Sequence, residues 1–106
     1  MESYNNVMLF GKAVKDAKVQ RLSTYSIRAE FTLSVVRSHK ICEGVNPVDF
    51  LRIICYGDLA TLAREKIKKG SEALISGRIQ TAPHEICGET KWIMEIIANS
   101  ITIKGV

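Results

Sequence analysis

The sequence predicts an all-β domain with one short helix, closed into a small barrel. Three observations carry that expectation. Along Arg28 to Arg37, Ala29, Phe31, Leu33 and Val35 alternate with Arg28, Glu30, Thr32 and Ser34, the period-two pattern of a half-buried strand. One segment, near Asp58 to Gly70, repeats apolar residues at helical spacing: Leu59, Leu62, Ala63 and Ile67. Short apolar runs elsewhere are bounded by turn residues.

At 106 residues the chain is a single domain, 1–106, long enough to bury a core without disulfides or metals. Its 46% hydrophobic and 25% charged content is that of a soluble globular protein. A net charge of +4 tilts it toward a polyanionic partner.

Val7 to Phe10 reads as a strand that bends at Gly11. Lys12 to Leu22 continues it after a kink and carries Lys15, Lys18 and Arg21. The alternating strand Arg28–Arg37 follows. His39 to Pro47 holds the turn signals Glu43-Gly44 and Asn46-Pro47. Val48 to Tyr56 is the next strand. Asp58 is the expected helix N-cap, its carboxylate accepting from the free N–H groups of the first turn. Lys66, Lys68 and Lys69 crowd the helix exit, where cations suit the dipole, and Gly70 fits the position just past the end. Ala73, Ile75, Gly77 and Ile79 define a further strand, Cys87-Gly88-Glu89 a turn, and Trp92 to Ile97 the returning strand, with Ile101 and Ile103 closing the chain. Five strands with one helix between the third and fourth is the element order of an OB-fold, a five-stranded Greek-key barrel whose face and loops bind oligonucleotides.

The strand 48–56 carries the most chemistry. Phe50, Arg52 and Tyr56 are separated by even numbers of residues and so share a face, with Ile54 between Arg52 and Tyr56; Leu51, Ile53 and Cys55 take the other. Exposed rings next to cations are what a single-stranded nucleic acid needs, because bases stack on the rings and phosphates meet the cations. The plainer reading is that Phe50 and Tyr56 are ordinary strand aromatics packing on neighbours.

Across nearly its whole length the chain resembles the bacterial single-stranded DNA-binding protein family. The matching segments are NNVMLFGK, AEFTLSV, DFLRIICYGDLA, the helix exit KKGS, SGRIQT and WIMEIIANSI; the Tyr-Gly-Asp-Leu-Ala turn followed by Lys-Lys-Gly-Ser is the most specific. The resemblance implies an OB-fold, a homotetramer built from dimers, and binding of single-stranded DNA with little sequence preference. It places base-stacking positions on His39, Phe50, Tyr56 and His84, and basic positions on Arg52, Lys68, Lys69 and Lys91. At 39 and 84 the family commonly has tryptophan, so imidazole stacks less well here. Position 58 is often lysine in relatives and is Asp here. Hub members of the family continue into a Gly/Pro/Gln-rich tail with an acidic tip, whereas this chain stops at Lys104-Gly105-Val106. The expectation that follows is that tail-mediated replication or repair partners are doubtful; short, tailless relatives are found on phages, plasmids and in primosomes. The alternative function is a primosome-type OB-fold interaction module with weak nucleic-acid binding.

Other constellations are weighed against this reading. His39, Cys42, His84 and Cys87, in the similar segments 38–44 and 83–89, are a set that a structural zinc would use if the two hairpins converged; coincidence is the favoured explanation, and no metal or cofactor is expected. A Cys–His pair without an orienting third group, a phosphate loop or a nucleophile turn does not make an enzyme. Glu85, Glu89 and Glu95 read as solvated charges. Trp92 shares a strand face with Met94 and Ile96 and is expected to pack in the barrel or at a subunit interface, with base stacking as the second reading. Lys12, Lys15 and Lys18 fit either a phosphate path or a solvated face. MESYNN is no secretory signal, and no apolar run approaches the ~20 residues that span a bilayer. Three cysteines at unremarkable spacing suit reduced thiols and a cytoplasmic location.

Overall fold

The computed structural model describes residues 2–24, 26–38 and 42–105. The strands are β1 (Val7–Ala13), β2 (Lys18–Ser23), β3 (Ser26–Val36), β4 (Val48–Tyr56), β5 (Glu72–Ile86) and β6 (Glu89–Ile103); one helix, α1 (Asp58–Lys66), lies between β4 and β5. The sheet order β1-β5-β6-β4-β3-β2, with a further β1–β3 pairing, closes a ring of five strands: β1, β3, β4, β6 and β5. The closure is antiparallel except between β4 and β6, which meet in parallel over two register pairs, Ile53↔Ile96 and Ile54↔Ile97. This is the expected OB-fold barrel. The sixth strand, β2, arises because the segment after the kink pairs with β3 from Lys18↔Glu30 to Ser23↔Ser26, beside the ring rather than within it.

The period-two pattern of β3 turns Ala29, Phe31 and Leu33 into the barrel, and Ile53 and Cys55 of β4 meet them there. Ile75, Ile96, Ala98 and Ile101 come from β5 and β6, and Ala60, Ala63 and Ile67 plug one end from α1 and its exit. Each fully buried Leu or Ile contributes roughly 1.5–3 kcal/mol, so this layer holds the ring shut.

Gly11 does not end its strand. β1 runs on to Ala13 and crosses from β5 to β3, and a Cβ at residue 11 would collide with the Ser34 carbonyl. The helix starts differently from expectation. Gly57 occupies the cap position with positive φ and Asp58 is the first helical residue, making no side-chain cap bond. Its charge still suits the positive end of the helix. The helix ends at Lys66, and the chain turns at Lys68–Ser71, where the Ser71 N–H donates to the Lys68 carbonyl and Gly70 takes positive φ.

Two polar clamps set the periphery. Asn5 substitutes for a strand residue against β5: its Nδ2 donates to the Ile79 carbonyl at 2.6 Å and its Oδ1 accepts from the Ile79 N–H at 2.8 Å. Arg37 grips Asp49 through two parallel bonds of 2.7 and 2.9 Å at the base of the β3–β4 connection. The Arg37 guanidinium holds the Asp49 carboxyl below its usual range, chiefly through these bonds. No helix among the described residues is long and apolar enough to cross a membrane.

Candidate nucleic-acid interface

Register decides which side chains share the outer face of the barrel. In antiparallel pairs, directly opposed residues point the same way. Ser34↔Phe50, Thr32↔Arg52, Glu30↔Ile54 and Arg28↔Tyr56 therefore form one surface on β3 and β4. Ile54↔Ile97 carries it onto β6, and Arg78↔Ile97, Gln80↔Glu95 and His84↔Lys91 carry it onto β5. Phe50 is 66% exposed and Tyr56 45%, so both rings stand free rather than packing as ordinary core aromatics. Ile54, between them and Arg52, is fully buried yet outside the core cluster, a small apolar floor beneath the outer face.

The structure brings Phe50, Arg52, Tyr56, His84 and Lys91 onto this one surface. His39 lies outside the described residues. Lys68 and Lys69 are exposed but sit beyond α1. The Lys68 ammonium donates to the Arg64 carbonyl at 3.1 Å, and the Lys69 N–H donates to Asp16 at 2.8 Å. Asp16 lines a cleft of about 360 Å³ together with Lys15, Lys18, Glu30 and Arg52, so the helix exit adjoins the outer face through the 14–17 loop. Lys15 and Lys18 thereby join a surface that already holds a cation, rather than an isolated solvated edge.

Arg52 is not a free cation. Its Nη2 lies 2.8 Å from Glu30 and its Nε 3.5 Å from Glu95, while Arg28 lies 3.8 Å from Glu30. Glu95 is 4% exposed, so it is not the solvated charge expected from sequence. It accepts a bond of 3.1 Å from Gln80 and sits 3.7 Å from His84 Nε2. Lys91 pairs with the exposed Glu89 at 3.1 Å, a surface pair that water and salt weaken.

Sequence reasoning missed Arg28, Arg78, Gln80 and the role of Glu95. The even spacing of Arg78, Gln80 and His84 was a usable signal that they share a face. Which face was not readable, because that depends on β6 lying between β5 and β4.

Of the positions expected for Trp92, the barrel interior is not the one it takes; a subunit interface and base stacking both need an exposed ring. It is 69% exposed. Its strand face is the expected one, since Ile96 on the same side is buried, but Met94 and Trp92 lie beyond the rim where β5 and β6 project as a hairpin. They face away from His84 and Lys91.

Cys42, Cys55 and Cys87 are free thiols, with Cys42 and Cys87 exposed. Among the described residues no group of three or more His, Cys, Asp or Glu side chains is placed to hold a metal. His84 faces Glu95, and Cys87 sits at the hairpin tip; the fourth member of the zinc set, His39, is outside the described residues.

The profile of the single-strand binding protein family matches residues 4–104. The chain is 33% identical over 100 residues to a protein named single-stranded DNA-binding protein 1 of Streptococcus pyogenes serotype M18, covering 93% of this chain and 77% of that one. It is 31% identical over 98 residues to the single-stranded DNA-binding protein of Caldanaerobacter subterraneus subsp. tengcongensis, covering 92% of this chain and 65% of the relative. To the single-stranded DNA-binding protein of Streptococcus mutans serotype c it is 33% identical over 100 residues, covering 93% and 61%. The chain thus spans less than two thirds of the length of two of these three relatives. With a match that runs almost from end to end, on a closed barrel whose outer face carries exposed rings, this chain belongs to the single-strand binding protein family.

Proposed function

We propose that this protein is a non-enzymatic, cytoplasmic binder of single-stranded DNA that coats and protects the strand in replication, recombination or repair, with little dependence on sequence. The observation that carries this reading is the pair of exposed rings, Phe50 and Tyr56, on the same face as Arg52, His84 and Lys91. Bases stack on Phe50, Tyr56 and His84, with His39 as a fourth stacking position. Phosphates meet Arg52, Lys91, Lys68 and Lys69, with Lys15 and Lys18 reaching the same cleft. The protein acts as a homotetramer. Met8, Phe10 and Leu74 lie together on the outer side of β1 and β5, and burying them between copies removes an apolar patch from water.

One observation favours the alternative of a primosome-type interaction module with weak DNA binding. Arg52 already contacts two carboxylates, so a phosphate must compete for it. Fluorescence-anisotropy titration of labelled oligo-dT against its duplex counterpart, at two salt concentrations, separates the two. The expected outcome is salt-sensitive binding of the single strand alone. The Phe50→Ala/Tyr56→Ala double variant keeps its fold and loses about 1–3 kcal/mol of binding per ring removed. Unchanged affinity in the folded double variant would sink the stacking role, and weak binding without discrimination would favour the interaction module.

A further inference from the structure

Glu95 is a carboxylate at the centre of a face that is proposed to bind a polyanion. Its side chain is 5% exposed and it is held on β6 opposite Gln80. One oxygen, Oε1, accepts from Gln80 Nε2. The other, Oε2, accepts no hydrogen bond from any described residue. It lies 3.5 Å from Arg52 Nε and 3.7 Å from His84 Nε2, close enough for attraction and too far for a hydrogen bond. Arg52 Nε is likewise without an acceptor among the described residues.

Arg52 and His84, the charged or titratable neighbours of that oxygen, are also the groups asked to engage the ligand. Both are partly exposed, at 33% and 28% of the side chain. When the guanidinium turns to a phosphate and the imidazole to a base, Oε2 is left buried with no compensating donor, which is costly for a carboxylate. The sugar–phosphate backbone of DNA has acceptors and no N–H or O–H donor. The donors that a single strand can supply there are on the base edges.

We propose that Glu95 reads the edge of a bound base and biases this face toward bases carrying an exocyclic amino group. The inference rests on the single-strand reading above. Cytosine N4 offers two donors to a carboxylate, and adenine N6 and the guanine N1–N2 edge do the same chemistry. Uracil and thymine present a carbonyl at that position, whose lone pairs oppose Oε2, and a single N3–H flanked by carbonyls. The bias is superimposed on stacking and phosphate contacts that ignore sequence.

Oligo-dC and oligo-dU of equal length isolate the effect, because the two bases share one ring size and differ at the C4 substituent and at N3. Anisotropy titrations at pH 8 and low salt are expected to show oligo-dC bound about tenfold more tightly than oligo-dU. The Glu95→Gln variant brings the ratio close to one. Glu30→Gln makes the same change in charge beside the same Arg52, and is expected to tighten both complexes while keeping the ratio, which separates edge reading from simple loss of repulsion. Circular dichroism verifies the fold of each variant. Equal affinity of the unaltered protein for the two oligomers overturns the inference without any variant, as does an unchanged ratio in folded Glu95→Gln. Binding of neither oligomer overturns the single-strand reading itself.

Discussion

Arg52 shows how neighbours set the use of a side chain. On its strand it is simply a cation beside two rings; in the fold it meets Glu30 and Glu95, and any phosphate it binds competes with their negative charge. Cys55 shows the same dependence for reactivity. It is fully buried in the barrel, and burial pushes its thiol up to about 11, whereas Cys42 and Cys87 are exposed. A thiol needs its thiolate form and access to react. Iodoacetamide at pH 8 is therefore expected to label Cys42 and Cys87 in the native protein and Cys55 only after unfolding, as mass spectrometry would read. The raised folded-state value also has a sign in stability. The contribution is complete below pH 9.0, the ordinary value of a free thiol, and is lost as pH climbs from there through about 11. The melting temperature of the protein should fall further over that window than that of a folded Cys55→Ala variant.

At the scale of elements, the β5–β6 hairpin and the β1 crossover bear the strain and the crowding. The hairpin turns through Cys87 and Gly88, both at positive φ, between the register pair Ile86↔Glu89. Two left-handed residues in a two-residue loop are what Asn-Gly prefers, and cysteine tolerates that region poorly. Cys87→Asn is expected to stabilise the fold by about 1 kcal/mol in urea unfolding, the left-handed penalty for an ordinary residue. A loss of stability would mean that the thiol makes a contact worth more than the strain. At the crossover the effect runs the other way. Gly11→Ala drives a methyl group into the Ser34 carbonyl, backbone against backbone, with no flexible chain end to yield. A destabilisation of about 1–3 kcal/mol is expected, from the general cost of overpacking. Acid acts on the neighbouring β3–β4 connection. Asp49 is held ionised by Arg37, so the clamp is complete above the ordinary carboxyl range and is lost as pH falls through the depressed value of the folded state.

Across the whole molecule, ring closure sorts the chain into a core and separate outer surfaces with different partners. The face with Phe50, Tyr56, His84 and Lys91 is mixed polar and aromatic. The outer side of β1 and β5 carries Met8, Phe10 and Leu74 instead. Sedimentation velocity is expected to give a tetramer, and Phe10→Glu, which places a charge in that apolar patch, a smaller species with the fold retained. A monomeric starting protein would show that the patch serves something else. Binding to the other face should weaken with salt, with a log–log slope of about −0.7 per phosphate contacted. A slope near zero would remove phosphate neutralisation from the account.

Much of this was legible in the sequence, because period and punctuation are local. The alternation of Ala29, Phe31 and Leu33 marked the core face of β3, and Phe50, Arg52 and Tyr56 were assigned to one side of a strand by even spacing alone. The motif segments indicated the family. The helix cap was misplaced by one residue because Gly57, with its positive φ, could take the turn that Asp58 seemed suited to. Glu95 was misjudged as solvated, and the exposure of Trp92 was left open, for a longer-range reason. Both lie on β6, and alternation says only that neighbours point in opposite directions. Whether a given side meets the core, a partner strand or water depends on how far the β5–β6 hairpin runs past the barrel rim and on β6 lying beside β4. By itself the sequence determined the strands, the helix and the family. The tertiary structure alone decided that Arg52, Glu95 and His84 meet and that Trp92 stands clear, because those contacts join β4, β5 and β6 through pairings between residues distant in the chain.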